Sequence, residues 1–444
     1  MAEKFVRQIA ENTWVCGHRD SAAVVTQGDL NVQEDIGDIK KVKNVEIMSW
    51  GKQNTLPRQR ELVIRNNNVV GELIATKRDL TLGQGLYAYK KVRKKDDYGR
   101  ERYSKEEVEM PNQSADFFER VNIQSEDELA AGEYFMHENI FTQFVMKKKG
   151  RIGSAEIESM QTKRCRHIRA AKQDSKGKVN KYYWNGSWEK KKKGYDNVIT
   201  INAYDPKEDK PLNFLHHAYD QLFFDDYYGH PKFWGAKNWI SLANAIPLFH
   251  LNNLENSYNI RFHIEIPRDY FADTTVVYET EELQKEAVKA EAAARQAFMD
   301  EVNEFLAGLE NAGRALFTSF DYNEALGKLY PGIKITPLDY DMKDEALIKL
   351  FEASNKAALS SLGVHPTLAA IESQGKLSSG SEMRNAFNIY LGIKTVSPRQ
   401  KLISRIDIAK KLEGWPSDIC YEYRDIEILK LDEEKAGKRE KTEM

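Results

Sequence analysis

Three places in the chain gather side chains that could do chemistry. His216-His217 with Asp220, Asp225 and Asp226 is the densest group of metal-ligand types, suited to a divalent cation and, through it, to metal-dependent cleavage of nucleic acid. Adjacent histidines on a helix would point in different directions, so no metal is assigned there. Cys165 and His167 lack two further ligands at useful spacing. Lys190 to Lys193 follow Tyr182, Tyr183, Trp184 and Trp188. Cations interleaved with aromatics can bind RNA or single-stranded DNA, but the same composition keeps an exposed sheet edge soluble. The sequence holds no G-x-x-x-x-G-K-[ST] loop, nucleophile elbow or HExxH, so neither an enzyme nor a cofactor is expected.

The 444 residues exceed one ordinary core, since domains usually run to about 100–200 residues, and two to four structural units are expected. A hydrophobic share of 41% and a formal net charge of −2 describe a globular protein rather than a strongly basic DNA-coating one. A conduit through which duplex slides is compatible with that balance, because it should avoid a deep attractive well for phosphates. No apolar run approaches the roughly 20 residues that span a bilayer, and Met1-Ala2-Glu3-Lys4 opens no signal peptide, so cytosolic synthesis and no membrane partner are expected. Cys16, Cys165 and Cys420 are far apart and odd in number, which fits reduced packing residues.

The elements that would position these residues mix helices and strands, an α+β chain. Glu126 to Met146 passes from a helical pattern to a strand at Phe141, and a second strand set follows from Ile152 to Met160. Lys181 to Trp188 reads as a hairpin turning at Asn185-Gly186. From Lys237 to Tyr258 the apolar spacing predicts a helix, kinked or split at Pro247. Ile260, Phe262, Ile264 and Ile266 then alternate with polar residues as a half-buried strand does. Glu281 to Glu310 predicts a long helix with a narrow, alanine-rich apolar stripe, followed by strands at Ala315 to Phe320 and Gly332 to Leu338. Asp344 to Leu362 predicts a helix stopped by Gly363. Met383, Ala386, Phe387, Tyr390 and Leu391 mark the buried face of another, and a last helix begins at Ser397 with Pro398 in its first turn and Gln400 completing a capping box. The charged tail beyond Leu431 predicts disorder.

One stretch is more specific than these patterns. Tyr227-Tyr228-Gly229-His230-Pro231 and Trp234 precede Phe249-His250-Leu251-Asn252-Asn253-Leu254-Glu255-Asn256. Upstream stand Trp50-Gly51 and Asn54-Thr55-Leu56-Pro57, then Gly83 and Gly85; downstream stand Gly363-Val364-His365-Pro366, Ser379-Gly380-Ser381-Glu382 with Arg384 and Phe387, and Ser397-Pro398. In this order the motifs resemble those of the portal proteins of tailed bacteriophages and prophages. The resemblance implies a subunit with a wing (residues 1–236), a stem helix (237–259), a small α/β clip (260–340), a returning stem helix (341–362), a tunnel loop (363–381), further wing elements (382–430) and a disordered tail (431–444). The crown of larger portals would be short or missing.

The resemblance further implies a ring, most often dodecameric, at one capsid vertex, carrying double-stranded DNA inward in packaging and outward in ejection. Its partners would be the terminase large subunit, the major capsid or scaffolding protein, a head-tail adaptor and DNA without sequence specificity. The location would be the virion, with assembly in the host cytoplasm. His365, Lys376, Ser378, Ser379 and Ser381 would lie nearest the DNA, or else simply join two helices, while Trp234, Trp239, Phe249, Asn252 and Asn253 would serve core, stem or subunit packing. The competing reading is a non-viral nucleic-acid-binding scaffold that uses the lysine and aromatic hairpin.

Overall fold

A computed structural model of the protein describes residues 4–10, 13–18, 39–42, 45–95, 101–147, 152–189, 197–208, 212–221, 226–256, 262–265, 280–306, 322–323, 328–329, 334–337, 344–365, 368 and 380–426. The chain divides into two compact units, one of Met1–Asp29 with Asn244–Phe351, the other of Leu30–Ala243 with Glu352–Met444.

The chain opens with β1 (Lys4–Ala10), β2 (Thr13–His18), β3 (Ile39–Val42), β4 (Val45–Met48), α1 (Leu56–Arg65), α2 (Asn68–Leu82), β5 (Leu86–Lys95) and β6 (Glu101–Val108). It continues through α3 (Asn112–Arg120), α4 (Ile123–His137), β7 (Asn139–Met146), β8 (Ile157–Lys163), β9 (Ile168–Ala170), β10 (Lys181–Trp184), β11 (Ile199–Ala203), β12 (Asn213–Tyr219) and α5 (Lys237–Asn256). There follow β13 (Phe262–Glu265), α6 (Glu281–Leu306), β14 (Tyr322–Asn323), β15 (Lys328–Leu329), β16 (Lys334–Pro337), α7 (Asp344–Leu362), α8 (Gly380–Ile389), α9 (Val396–Glu413) and β17 (Ile419–Tyr423).

The larger unit is built on a six-stranded sheet in the order β8-β7-β12-β11-β10-β9, antiparallel except where β11 runs parallel to β12. β7 is apolar on both faces, with Ile140, Phe141, Phe144 and Met146 all buried, because helices cover it. Ser404 of α9 lies 3.0 Å from His216 on β12, and Arg405 donates to Thr162 on β8 at 3.3 Å while pairing with Asp127 on α4. A second sheet, β17-β5-β6, carries the other apolar cluster, where Phe118 of α3 meets Trp415 edge to face at 5.8 Å. α2 starts where Asn67 Oδ1 accepts from the amides of Val69 and Val70, the cap its residue type favours.

In the smaller unit β13 pairs antiparallel with β16, Ile264 opposite Ile335, and α6 lies between them in sequence. The strand at Phe262 to Glu265, the helix from Glu281 and the strand within Gly332 to Leu338 thus fall where period two and period 3.6 put them. The expected strand at Ala315 to Phe320 and the tail beyond Leu431 lie outside the described residues.

Four expectations are corrected. Lys181 to Trp188 is no hairpin: β10 pairs with β9 and β11, and Asn185 Oδ1 accepts from Ser187 N at 3.1 Å. Trp188 is instead buried on Ile47, Ala171 and Tyr183, its indole N–H donating to the His167 carbonyl at 2.9 Å. His216 and His217 stand on a strand, so their side chains diverge to opposite faces. Met383 is 44% exposed, and of the face it was assigned to only Phe387 and Tyr390 are buried. No capping box forms at α9: Thr395 precedes its first residue, and Ser397 Oγ donates to the Asp220 carboxylate at 3.0 Å. α5 runs through Pro247 as one helix, so the alternative of a split is set aside.

Candidate functional site

The signature residues on either side of the first sheet meet in one place, the root of α5 in the larger unit. Trp50 and Tyr228 stack with ring centroids 4.1 Å apart and planes within 7°. The Tyr228 hydroxyl donates to Met48 O at 2.8 Å and accepts from Ala170 N at 2.9 Å, tying the turn before α5 to β4 and β9. The next residue must be glycine on contact grounds, since a Cβ on Gly229 would stand 2.1 Å from the Glu138 carbonyl oxygen. Asn139 locks that approach by accepting from Gly229 N at 2.8 Å and donating to Gly229 O at 3.0 Å.

Asn54 and Arg169 hold the other motif. Asn54 Oδ1 accepts from Trp50 N at 2.9 Å and from Arg169 Nε, and Arg169 donates again to the Asn54 carbonyl at 2.6 Å. Arg60 on α1 lies over the Trp234 ring at 5.4 Å and 3.2 Å from His230 Nδ1. Trp234 is 3% exposed, so it serves the core. Trp239 and Phe249 are each 44% exposed and Asn252 is partly exposed; Asn253 lies on α5.

α7 ends at Gly363, whose φ of +66° suits the left-handed stop, and Val364 beyond it is buried. His365 is exposed at this end, beside a cleft of about 430 Å³ lined by Leu359, Val364, Ile389, Tyr390 and Lys394. Tyr390–Lys394 is a π-helical turn joining α8 to α9. Ser381 lies in the first turn of α8, whereas Lys376, Ser378 and Ser379 are outside the described residues, as are Lys190 to Lys193 and Asp225.

The charged groups near the root form a buried set. Burial pushes the Glu138 carboxyl up to about 7, with Asp220 adding repulsion and Lys232 and Lys77 opposing it. Burial brings the Lys77 ammonium down to about 8, with Glu138 opposing and Lys232 and Lys394 reinforcing. His217 is held well below its ordinary value by burial, next to His216 and Lys401; it lies 2.9 Å from Asn139 Oδ1 and 3.3 Å from the Tyr182 hydroxyl. Asp220 accepts from Tyr134 at 2.7 Å. The His216, His217 and Asp220 group is therefore spent on structural partners, and its described members form no common metal site. Arg60, Arg169 and the adjacent pair Glu138 and Asn139 were missed in the sequence because their partners at the site are remote along the chain.

No protein-family model and no curated protein matches the chain. Among solved structures it aligns with a chain from the neck of an empty GTA particle computed with C6 symmetry, at 15% identity and a TM-score of 0.49, over 83% of this chain and 84% of that one. A chain from the virion of the native gene transfer agent particle aligns at 14% identity and a TM-score of 0.49, with the same coverage of 83% and 84%. A third, from the neck of the native GTA particle computed with C12 symmetry, aligns at 15% identity and a TM-score of 0.44, over 86% of this chain and 88% of that one.

Proposed function

We propose that this chain is the subunit of a phage portal, a ring that conducts double-stranded DNA through one capsid vertex and has no catalytic role of its own. The observation that carries the reading is the meeting of the two portal-like motifs. Trp50-Gly51 with Asn54 and Tyr228-Gly229 with Trp234 build one core at the root of α5. The chain then runs from α5 through the β13-α6-β16 segment and re-enters the larger unit along α7. A stem helix, an inserted clip and a returning stem helix need that order of elements.

In this assignment residues 260–340 offer the docking surface for the terminase large subunit and later a head-tail adaptor, and the capsid or scaffolding protein meets the outside of the ring. The segment from His365 through Lys376 to Ser381 faces the channel and touches phosphates without reading bases. Such contacts are weak and fall with salt.

Light scattering with negative-stain imaging of the purified particle tests the proposal. A ring of about twelve copies with a central hole is expected, the closed cyclic symmetry of head-to-tail contacts. A chain that stays monomeric over a wide concentration range, even with capsid or scaffolding protein present, overturns it.

A further inference from the structure

Beneath the signature core lies a group of side chains that the proposed function does not use. Glu133 and His137 sit one turn apart on the same face of α4, and Cys165 opens the short 3-10 turn Cys165–His167 that leads into β9. All three are buried, and one ligand atom from each lies within 4.8 Å of the other two. Glu61 of α1 brings Oε1 to 3.9 Å from His137 Nε2, the same distance at which Glu133 Oε2 stands from that nitrogen.

Those separations are too long for hydrogen bonds. His137 is 0% exposed, yet neither of its ring nitrogens has a hydrogen-bond partner among the described residues. Native interiors pair such groups almost without exception, and an imidazole turned toward two carboxylates and a thiol at that spacing has the surroundings of a metal ligand.

We propose that Glu133, His137 and Cys165, with Glu61 as the fourth ligand, form a structural zinc site. A thiolate, an imidazole and carboxylates are the donors zinc takes in tetrahedral sites, and the sulfur argues against magnesium and calcium. Around a tetrahedral zinc the ligand atoms stand roughly 3.3–3.8 Å apart, so the Glu133, His137 and Cys165 atoms close by about 1 Å through side-chain rotation, and Glu61 swings in from its place beside His137. Cys165 Sγ now faces the Asn139 carbonyl at 3.5 Å; on binding, its proton passes to solvent and the sulfur lone pair forms the bond to the metal.

The surrounding groups fit that role. Two carboxylates and a thiolate exceed the charge of the dication by one. Arg166 stands 3.0 Å from Glu61 Oε2 and Arg164 3.6 Å from Glu133 Oε1, each on a carboxylate oxygen that the site leaves over. Cys165 N donates to Glu133 Oε2 at 2.8 Å, and the Trp50 ring packs edge-on to His137 at 6.1 Å, orienting the ligands from outside. The metal would clasp α1, α4 and the 3-10 turn directly under the Trp50 and Tyr228 stack.

The test is metal content and cobalt substitution of the full chain, purified after equilibration with zinc. Expected are about one tightly held zinc per chain, a thiolate-to-cobalt charge-transfer band in the cobalt form, and a melting temperature lowered by a strong chelator. Cys165→Ser should lose the band and the chelator effect, while Cys420→Ser keeps both. Wild-type protein that retains no zinc and melts identically with and without chelator overturns the proposal. Should Cys165→Ser fail to fold, the wild-type zinc content and cobalt spectrum decide alone.

Discussion

Glu138 concentrates the electrostatics of the α5 root in one residue. It stands at the end of α4 in the left-handed conformation, with φ +59°, its carbonyl pressed against Gly229 and its side chain 8% exposed among Asp220, Lys232 and Lys77. Its carboxyl rises from an ordinary 4.5 to about 7, so the folded chain holds this proton more tightly than the unfolded one. The resulting stability is complete below pH 4.5 and lost as pH rises through about 7. Lys77 has the opposite sense: its contribution is present above 10.5 and lost as pH falls through about 8. Between these windows both groups are charged and neither adds stability. Urea titrations at several pH values should therefore show wild type losing stability from pH 4.5 to 7 relative to Glu138→Gln, and parallel curves for the two proteins would remove Glu138 from the account.

At the scale of elements, α9 shows how a local signal yields to a tertiary partner. Ser397, Pro398 and Gln400 carry the composition of a capped start, but the Ser397 hydroxyl reaches Asp220, 3.0 Å from one carboxylate oxygen and 3.3 Å from the other. Ser397→Ala should then cost about 1.5–3 kcal/mol, as for hydrogen bonds to charged groups, whereas Gln400→Ala on the exposed face should cost within about 0.5 kcal/mol. Equal losses in chemical denaturation would restore the capping box. The same competition explains what could be read from sequence. α5, α7 and β13 were legible because their apolar periods are long and unmixed. The Asn185-Gly186 turn was not, because Trp188 gains a buried indole hydrogen bond and β10 finds better partners in β9 and β11. At the site, the aromatic and glycine motifs were visible in order, but Glu61, the Glu133 and His137 pair and Cys165 come from three separate elements, and the one-turn spacing of Glu133 and His137 on α4 does not announce the other two.

For the whole molecule, the question is what the exposed apolar side chains of α5 are for. Leu248, Phe249 and Leu251 are 60%, 44% and 50% exposed, and with Asn252 they fall on one side of the helix. A chain working alone would leave about half of each side chain in water, forgoing roughly 0.8–1.5 kcal/mol apiece, half of what full burial gains. In a ring, the same surface repeats in every subunit, and a modest contact multiplied around a closed circle is enough to fix the assembly. The double variant Phe249→Asp and Leu251→Asp should accordingly sediment as smaller species while keeping its circular-dichroism spectrum, since neither side chain belongs to a core cluster among the described residues. Desolvating an unpaired carboxylate at each contact opposes closure more strongly than simple loss of apolar area, so the effect should exceed that of the matching alanine pair. A variant that still forms full-mass rings would move the subunit contact off this side of α5 and leave its exposed leucines and phenylalanine to another partner.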